Sequence, residues 1–257
     1  MPIALITGAT AGIGAEYARQ LAARGMDLVL VARDRPRLES AAEVLREEFG
    51  IDVEVLVADL LDGEQLAAVE RRVGASSAPI DYLVNNAGFG LAQEFADNTV
   101  DAELAQFDIL ARVPLRLIHA ALTQMLPRRT GTIVTVSSTA GYAGLGSYSA
   151  AKAWSLTFSR WANAYYRSSG VTLSAIAPGF VRTEFHERMS VSRESMAPAW
   201  LWLDASTLVR KALRDVDRRK AVSLPTVRYK IIVGLARMAG PAIALAVRRR
   251  GTADRRG

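Results

Sequence analysis

Six short runs of β-branched and aliphatic residues recur along the chain, at 3–7 (IALIT), 27–32 (DLVLVA), 52–58 (DVEVLVA), 81–86 (DYLVNN), 132–137 (TIVTVS) and 172–177 (TLSAIA). Between them lie longer stretches with apolar positions every three or four residues, near 12–25, 35–49, 62–74, 98–126 and 148–169. Nearly continuous apolar strands alternating with amphipathic helices predict a parallel sheet covered on both faces. Right-handed crossovers then give an α/β, doubly wound fold. A weaker seventh strand is predicted around 221–225 (AVSLP). In such folds the ligand crevice lies at the carboxyl ends of the strands. Gly8–Gly14, Arg33, Asp59, Asn86–Gly88, Ser138 and Pro178–Thr183 are therefore expected to converge on one rim.

The 257 residues contain no Pro-, Ser- or charge-rich linker, so a single domain is expected. Residues 1–225 are expected to form its main body, with a loop at 184–204, and 226–257 a basic, partly apolar extension of it. Half of the residues are hydrophobic, enough for a sizeable core and against global disorder. The absence of cysteine removes disulfide and thiol chemistry. The start MPIALITGAT has no basic stretch followed by a long apolar one, so a cytoplasmic placement is expected. His119 and His186 stand far apart without neighbouring ligands, and no metal is expected.

The turn TGATAGIG follows the first strand and opens the first helix, with Gly8, Gly12 and Gly14 spaced G-x-x-x-G-x-G. Glycines there let the backbone turn sharply and approach a pyrophosphate, which the N–H groups of the helix start can meet. A dinucleotide site preferring NAD carries an acidic residue at the end of the second strand, and this chain has Arg33. A guanidinium can fork onto a 2′-phosphate that a carboxylate would repel, so NADP is the expected cofactor. Asp34 is a candidate cap for the next helix.

SYSAAK, at 147–152, places Tyr148 and Lys152 one helical turn apart on one face. An ammonium beside a phenol favours the phenolate, by roughly 4 kcal/mol at about 4 Å and a dielectric near 20. The expectation is a tyrosine with a lowered pKa, able to exchange a proton near neutrality.

Taken together and in this order, Gly8–Gly14, NNAG at 85–88, the serines 137 and 138, Tyr148 with Lys152, and PGFVRT at 178–183 resemble the short-chain dehydrogenase/reductase family over about residues 3–185. The resemblance implies a Rossmann-like fold and an enzyme that interconverts a ketone and a secondary alcohol with NADP(H). It assigns Tyr148 as the general acid/base, Lys152 as the group that lowers its pKa and binds the nicotinamide ribose, and Ser138 as the donor to the substrate oxygen. Thr10 and Ile13 would join the glycines at the cofactor. Asp59 and Leu60 would meet adenine, and Asn86, Ala87 and Gly88 the adenosine side. Pro178, Gly179, Val181 and Thr183 would line the nicotinamide end. Two positions depart from the family. Leu110, aligned through Pro114, stands where an asparagine usually completes a proton relay, and the interval from Ser138 to Tyr148 is short. Ser137 or Ser147 could therefore share the donor role. The alternative reading is an NADP-binding sensor or scaffold of weak turnover.

The segment after PGFVRT carries Met189, Met196, Trp200 and Trp202, which would either cover a bulky hydrophobic carbonyl or alcohol substrate or pack onto the core. Charge is unevenly spread. Residues 1–204 carry 18 Lys/Arg and 23 Asp/Glu, whereas residues 205–257 carry 14 and 3. From Ile231 to Val247 the ending is apolar but only 17 residues long, with Arg237 inside, short of the roughly 20 needed to span a bilayer. Its expected roles are contact with an anionic membrane surface, or packing over the pocket or on another copy in a homo-oligomer. Nucleic acid is not an expected partner, since no reader motif or interleaved aromatics are present.

Overall fold

The computed structural model describes residues 1–184 and 198–235. Seven parallel strands form one sheet in the order β3-β2-β1-β4-β5-β6-β7. They are β1 (Ile3–Thr7), β2 (Asp27–Ala32), β3 (Val53–Val57), β4 (Ile80–Asn85), β5 (Gly131–Val136), β6 (Val171–Ile176) and β7 (Val222–Ser223). The weak seventh strand of the sequence thus exists, pairing Ala175 and Ile176 with Val222 and Ser223.

Strand alternation divides the apolar side chains between two cores. Ala4, Ile6, Leu28, Leu30, Val134 and Val136 face one side, and Leu5, Val29, Val31 and Ile133 the other. Helices α1 (Gly12–Ala22), α2 (Arg35–Phe49) and α7 (Ala205–Asp217) cover the first face through residues such as Leu21, Leu38 and Leu213. Helices α3 (Gly63–Gly74), α5 (Val113–Arg128) and α6 (Gly146–Tyr166) cover the second through Leu66, Leu117 and Ala162. Both faces being buried is why the strands read as unbroken apolar runs. Side-chain caps set several helix starts: Asp34 accepts from the Arg37 N–H, Asp62 from Glu64 and Gln65, and Asp204 from Thr207.

The predicted helix over 98–126 is divided. Helix α4 (Val100–Phe107) passes through one π-helical turn, Asp108–Arg112, into α5. Pro114 explains the break: it has no N–H for the Leu110 carbonyl, and its ring would collide with that carbonyl in a regular helix. The chain widens, the Val113 N–H bonds to the Asp108 carbonyl, and Ile109, Leu110 and Ala111 are turned inward. This wide turn lies beside the crevice.

The switch point falls between β1 and β4, where strand order reverses. The loops after β1, β2, β4, β5 and β6 all open at this end. Among the described residues no helix is long and apolar enough to cross a membrane. Met189, Met196 and His186, and the ending from residue 236 with most of its arginines, lie outside the described residues.

Candidate active site

At the switch point the glycine loop adopts the conformations that its sequence requires. Gly8 and Gly12 have φ of +67° and +56°. A Cβ on Gly12 would lie 2.8 Å from the Thr183 side chain, and one on Gly14 would lie 2.2 Å from the Gly8 carbonyl oxygen. Helix α1 then begins at Gly12 with no side-chain cap and no acidic residue in its first turn. Backbone N–H groups and a positive helix end face the crevice together, the donor set that a diphosphate needs. The residues present therefore fit a dinucleotide.

Thr7, which the motif reading passed over, holds this loop to the next. Its hydroxyl oxygen accepts from the N–H groups of Asn86 and Ala87, both at 3.0 Å. The Asn86 side-chain amide donates back to the carbonyls of Thr7 and Gly8, at 2.9 and 3.0 Å. Asn86 and Ala87 are thereby locked against the glycine loop. Gly88 sits under Leu110, since a Cβ there would come within 2.7 Å of the leucine Cδ2.

Arg33 directly follows β2 on the rim, its side chain 70% exposed, with Nη1 3.7 Å from the Asp59 carboxylate. Such an open pair contributes little to stability and leaves the guanidinium exchangeable. Asp59 also accepts from the Leu61 N–H, and Leu60 is buried. A second cation, Arg37, lies across the mouth: its guanidinium donates to both Glu184 carboxylate oxygens, at 3.1 and 2.7 Å, and to the Thr10 carbonyl. No local pattern could have found a partner 147 positions away.

On the other side of the switch point α6 delivers Tyr148 and Lys152. Lys152 is 7% exposed, and its ammonium donates to the Val136 carbonyl at 2.7 Å while standing 5.7 Å from the Tyr148 ring centre. Burial lowers its pKa from 10.5 to about 8. Tyr148 packs against the apolar core of the second sheet face, to which Ile109, Leu110 and Val113 also belong, and keeps only part of its surface open. Its pKa is pushed up from 10.0 to about 12, chiefly by burial, with a hydrogen bond from Ser138 acting in the opposite direction.

The expected lowering of the Tyr148 pKa by Lys152 is therefore corrected. The Lys152 ammonium donates to the Val136 carbonyl, and the leading influence on the phenol is desolvation by burial. Tyr148 is a neutral phenol throughout the physiological range.

The three serines separate cleanly. The Ser137 hydroxyl donates to the Lys152 carbonyl, and that of Ser147 to Glu103 on α4 at 2.5 Å. Ser138 alone of the three meets the Tyr148 hydroxyl, and it also accepts from the Ala140 N–H. The short Ser138–Tyr148 interval is accommodated by a single helical turn, Thr139–Tyr142.

After β6, Pro178 accepts from the Thr139 N–H, which ties the loop to the Ser138 segment. Val181 pairs with Leu203, Thr183 reaches Gly12, and Phe180 packs on Trp202, ring centres 5.5 Å apart. Trp202 is 9% exposed whereas Trp200 is 59% exposed, so of the two tryptophans only Trp202 packs inward. Thr10 and Ile13 stand in the glycine loop as expected. The structure thus brings all the sequence-predicted site residues to one rim.

Leu110 is 2% exposed in this wall. Replacing it with asparagine would bury an amide among aliphatic side chains, at a cost of about 2 kcal/mol. Leu110→Asn is expected to melt roughly 4–8 °C lower, read by calorimetry. Turnover is expected to change less than about tenfold, because Tyr148, Ser138 and Lys152 are held by bonds that Leu110 does not make.

The family model for short chain dehydrogenase matches residues 2–194. A short-chain dehydrogenase from Sphingobium yanoikuyae, solved in complex with NADPH, is 36% identical, with a TM-score of 0.84 over 99% of this chain and 96% of that one. The bulky-bulky ketone specific alcohol dehydrogenase from Comamonas testosteroni is 32% identical, with a TM-score of 0.79 over 93% of each chain. A very-long-chain 3-oxoacyl-CoA reductase from Anas platyrhynchos is 33% identical over 83% of this chain and 68% of that protein. The chain belongs to the short-chain dehydrogenase family and is an oxidoreductase of that kind, acting between CH–OH and C=O.

Proposed function

We propose that the protein is an NADP(H)-dependent reductase of bulky hydrophobic ketones, with Tyr148, Ser138 and Lys152 as its catalytic residues. The observation that carries the reading is the hydrogen bond between Ser138 and a proton-loaded Tyr148, above a buried Lys152. A bound nicotinamide would supply or accept the hydride. Ser138 and Tyr148 together would hold the substrate oxygen, and in the reductive direction the Tyr148 hydroxyl would give its proton to that oxygen as negative charge develops there. Burial keeps Tyr148 protonated, so it carries a proton to give. Lys152 would donate to the nicotinamide ribose and keep a positive charge under Tyr148 once its proton has left.

The glycine loop and the α1 start would take the diphosphate, with Thr10 and Ile13 beside it. Asp59 and Leu60 would flank adenine, and Asn86–Gly88 the adenosine side. Pro178, Gly179, Val181 and Thr183 would face the carboxamide. Arg33 supports NADP: it stands at the end of β2 in an exposed pair that a 2′-phosphate could displace. The bulky substrate is supported by the apolar Phe180–Trp202 pair in the loop after β6 and by the ketone specificity of the Comamonas relative. Self-association is supported by the aromatic ladder of α6, where Trp161 and Tyr165 stack and are 52% and 65% exposed.

The test is cofactor choice. Arg33→Asp is expected to weaken NADPH by roughly tenfold to a hundredfold, the worth of a charge-assisted hydrogen bond, and NADH by less than about threefold. Parallel fluorescence titrations decide it, and an equal change in both affinities would remove Arg33 as the discriminator.

A further inference from the structure

Beyond β7 the chain turns into helical residues 227–235, of which Tyr229 and Val233, one turn apart, are only 3% exposed. Tyr229 belongs to no part of the catalytic group, yet it is placed against the loop after β6. Its ring occupies the space that a side chain on Gly179 would need: a Cβ there would lie 1.7 Å from the tyrosine Cζ. Its hydroxyl accepts from the Phe180 N–H and donates to the Leu201 carbonyl, both at 2.9 Å. One phenol thus joins the loop following β6 to the segment at 199–203.

The two strips it joins are laced further. The Leu203 N–H donates to the Phe180 carbonyl at 2.8 Å, and the Arg182 N–H to the Leu203 carbonyl at 3.0 Å. Trp200, next to Leu201, lies under the Arg228 guanidinium, 5.4 Å away. From this strip Thr183 reaches Gly12, and Pro178 accepts from Thr139 beside Ser138. A shift of Gly179–Phe180 would therefore be felt at the nicotinamide end of the crevice and at the Ser138 segment. The adenosine end is held by Thr7, Asn86 and β2, none of which touches Tyr229 through a hydrogen bond.

We propose that Tyr229 is a positioning residue: through Gly179, Phe180 and Leu201 it fixes the loop that meets the nicotinamide half of the cofactor, so the C-terminal helix sets the alignment of that half with Tyr148. This rests on the cofactor reading of the preceding subsection. Tyr229→Phe keeps the ring over Gly179 and removes only the hydroxyl, so the fold is expected to survive.

Two probes separate positioning from general damage. NADPH carries the nicotinamide ring, whereas 2′-phospho-ADP-ribose lacks that ring and keeps the rest of the cofactor. For Tyr229→Phe in the full chain, NADPH is expected to bind roughly tenfold more weakly, with 2′-phospho-ADP-ribose unchanged within about twofold. Amide hydrogen exchange at 179–183 is expected to quicken while that at 85–88 stays the same. Equal weakening of both probes, or of neither, would overturn the proposal. So would unchanged exchange at 179–183, a reading that holds even if the variant binds poorly. A wild-type chain that binds neither probe would overturn the cofactor reading itself, an outcome distinct from these.

Discussion

Tyr148→Phe is expected to lower the rate of ketone reduction by roughly 10²–10⁴-fold, the range for losing a positioned general acid, while NADPH affinity moves less than about threefold. The substitution is close to isosteric. The phenylalanine ring would keep the packing of Tyr148 against the second-face core, and only the hydroxyl bonded to Ser138 would go. Because burial holds this hydroxyl at about 12, the native residue is protonated at neutral pH, and phenylalanine has no such proton to give. Ser138 retains its bond from Ala140 and its place, so loss of rate without loss of binding isolates the proton. Single-turnover decay of NADPH fluorescence checks it, and a near-native rate would remove Tyr148 from the chemistry.

Lys152→Met should cost activity on a similar scale without destabilising the fold. Burial lowers the lysine from 10.5 to about 8, a penalty on its charged form of about 3 kcal/mol. Methionine removes that penalty. It also leaves the Val136 carbonyl without the ammonium, a loss of about 1–3 kcal/mol that opposes the gain. The melting temperature is therefore expected to stay within a few degrees, while turnover falls by about 10²-fold or more and NADPH binding by roughly tenfold or more. The sign of the pH dependence follows from the same shift. Between about 8 and 10.5 the unfolded chain holds the lysine proton and the folded chain has released it, so this residue makes stability rise with pH across that window. The activity has the opposite slope: kcat/KM, which reports the free enzyme, is expected to be level below about 8 and to fall above it as Lys152 loses its charge. A kcat/KM that climbs through pH 8 would contradict the role given to the ammonium.

Much of this site was legible in the sequence because it is written locally. Gly8, Gly12 and Gly14 announce a turn in which no side chain fits, and the alternation of apolar strands with helices makes the carboxyl ends of parallel strands the rim. Tyr148 and Lys152 share a helix face by spacing alone. Their electrostatics was not legible, since it depends on where the lysine is directed and on how far the phenol is enclosed, both set by β5 and the wide turn at 108–112. The widening at Pro114 was hidden for a related reason: the apolar period continues through it, and only the missing N–H betrays it. Choosing Ser138 over Ser137 and Ser147 required the partners of each, Lys152 and Glu103, from another part of the chain. Arg37 with Glu184, and Tyr229 with Gly179, join positions far apart in sequence, and nothing in either local stretch points to the other.

Turnover in this crevice, beyond the holding of a nucleotide, is what separates an enzyme from a sensor or scaffold. Its most direct test is NADPH consumption by the full chain against a panel of bulky ketones, with the matching secondary alcohols and NADP⁺ run in reverse. Saturable reduction of at least one bulky ketone, lost in Tyr148→Phe, is the predicted result. Firm NADPH binding with no turnover of any ketone or alcohol in the panel would contradict it and leave a nucleotide-binding protein on an enzyme's fold.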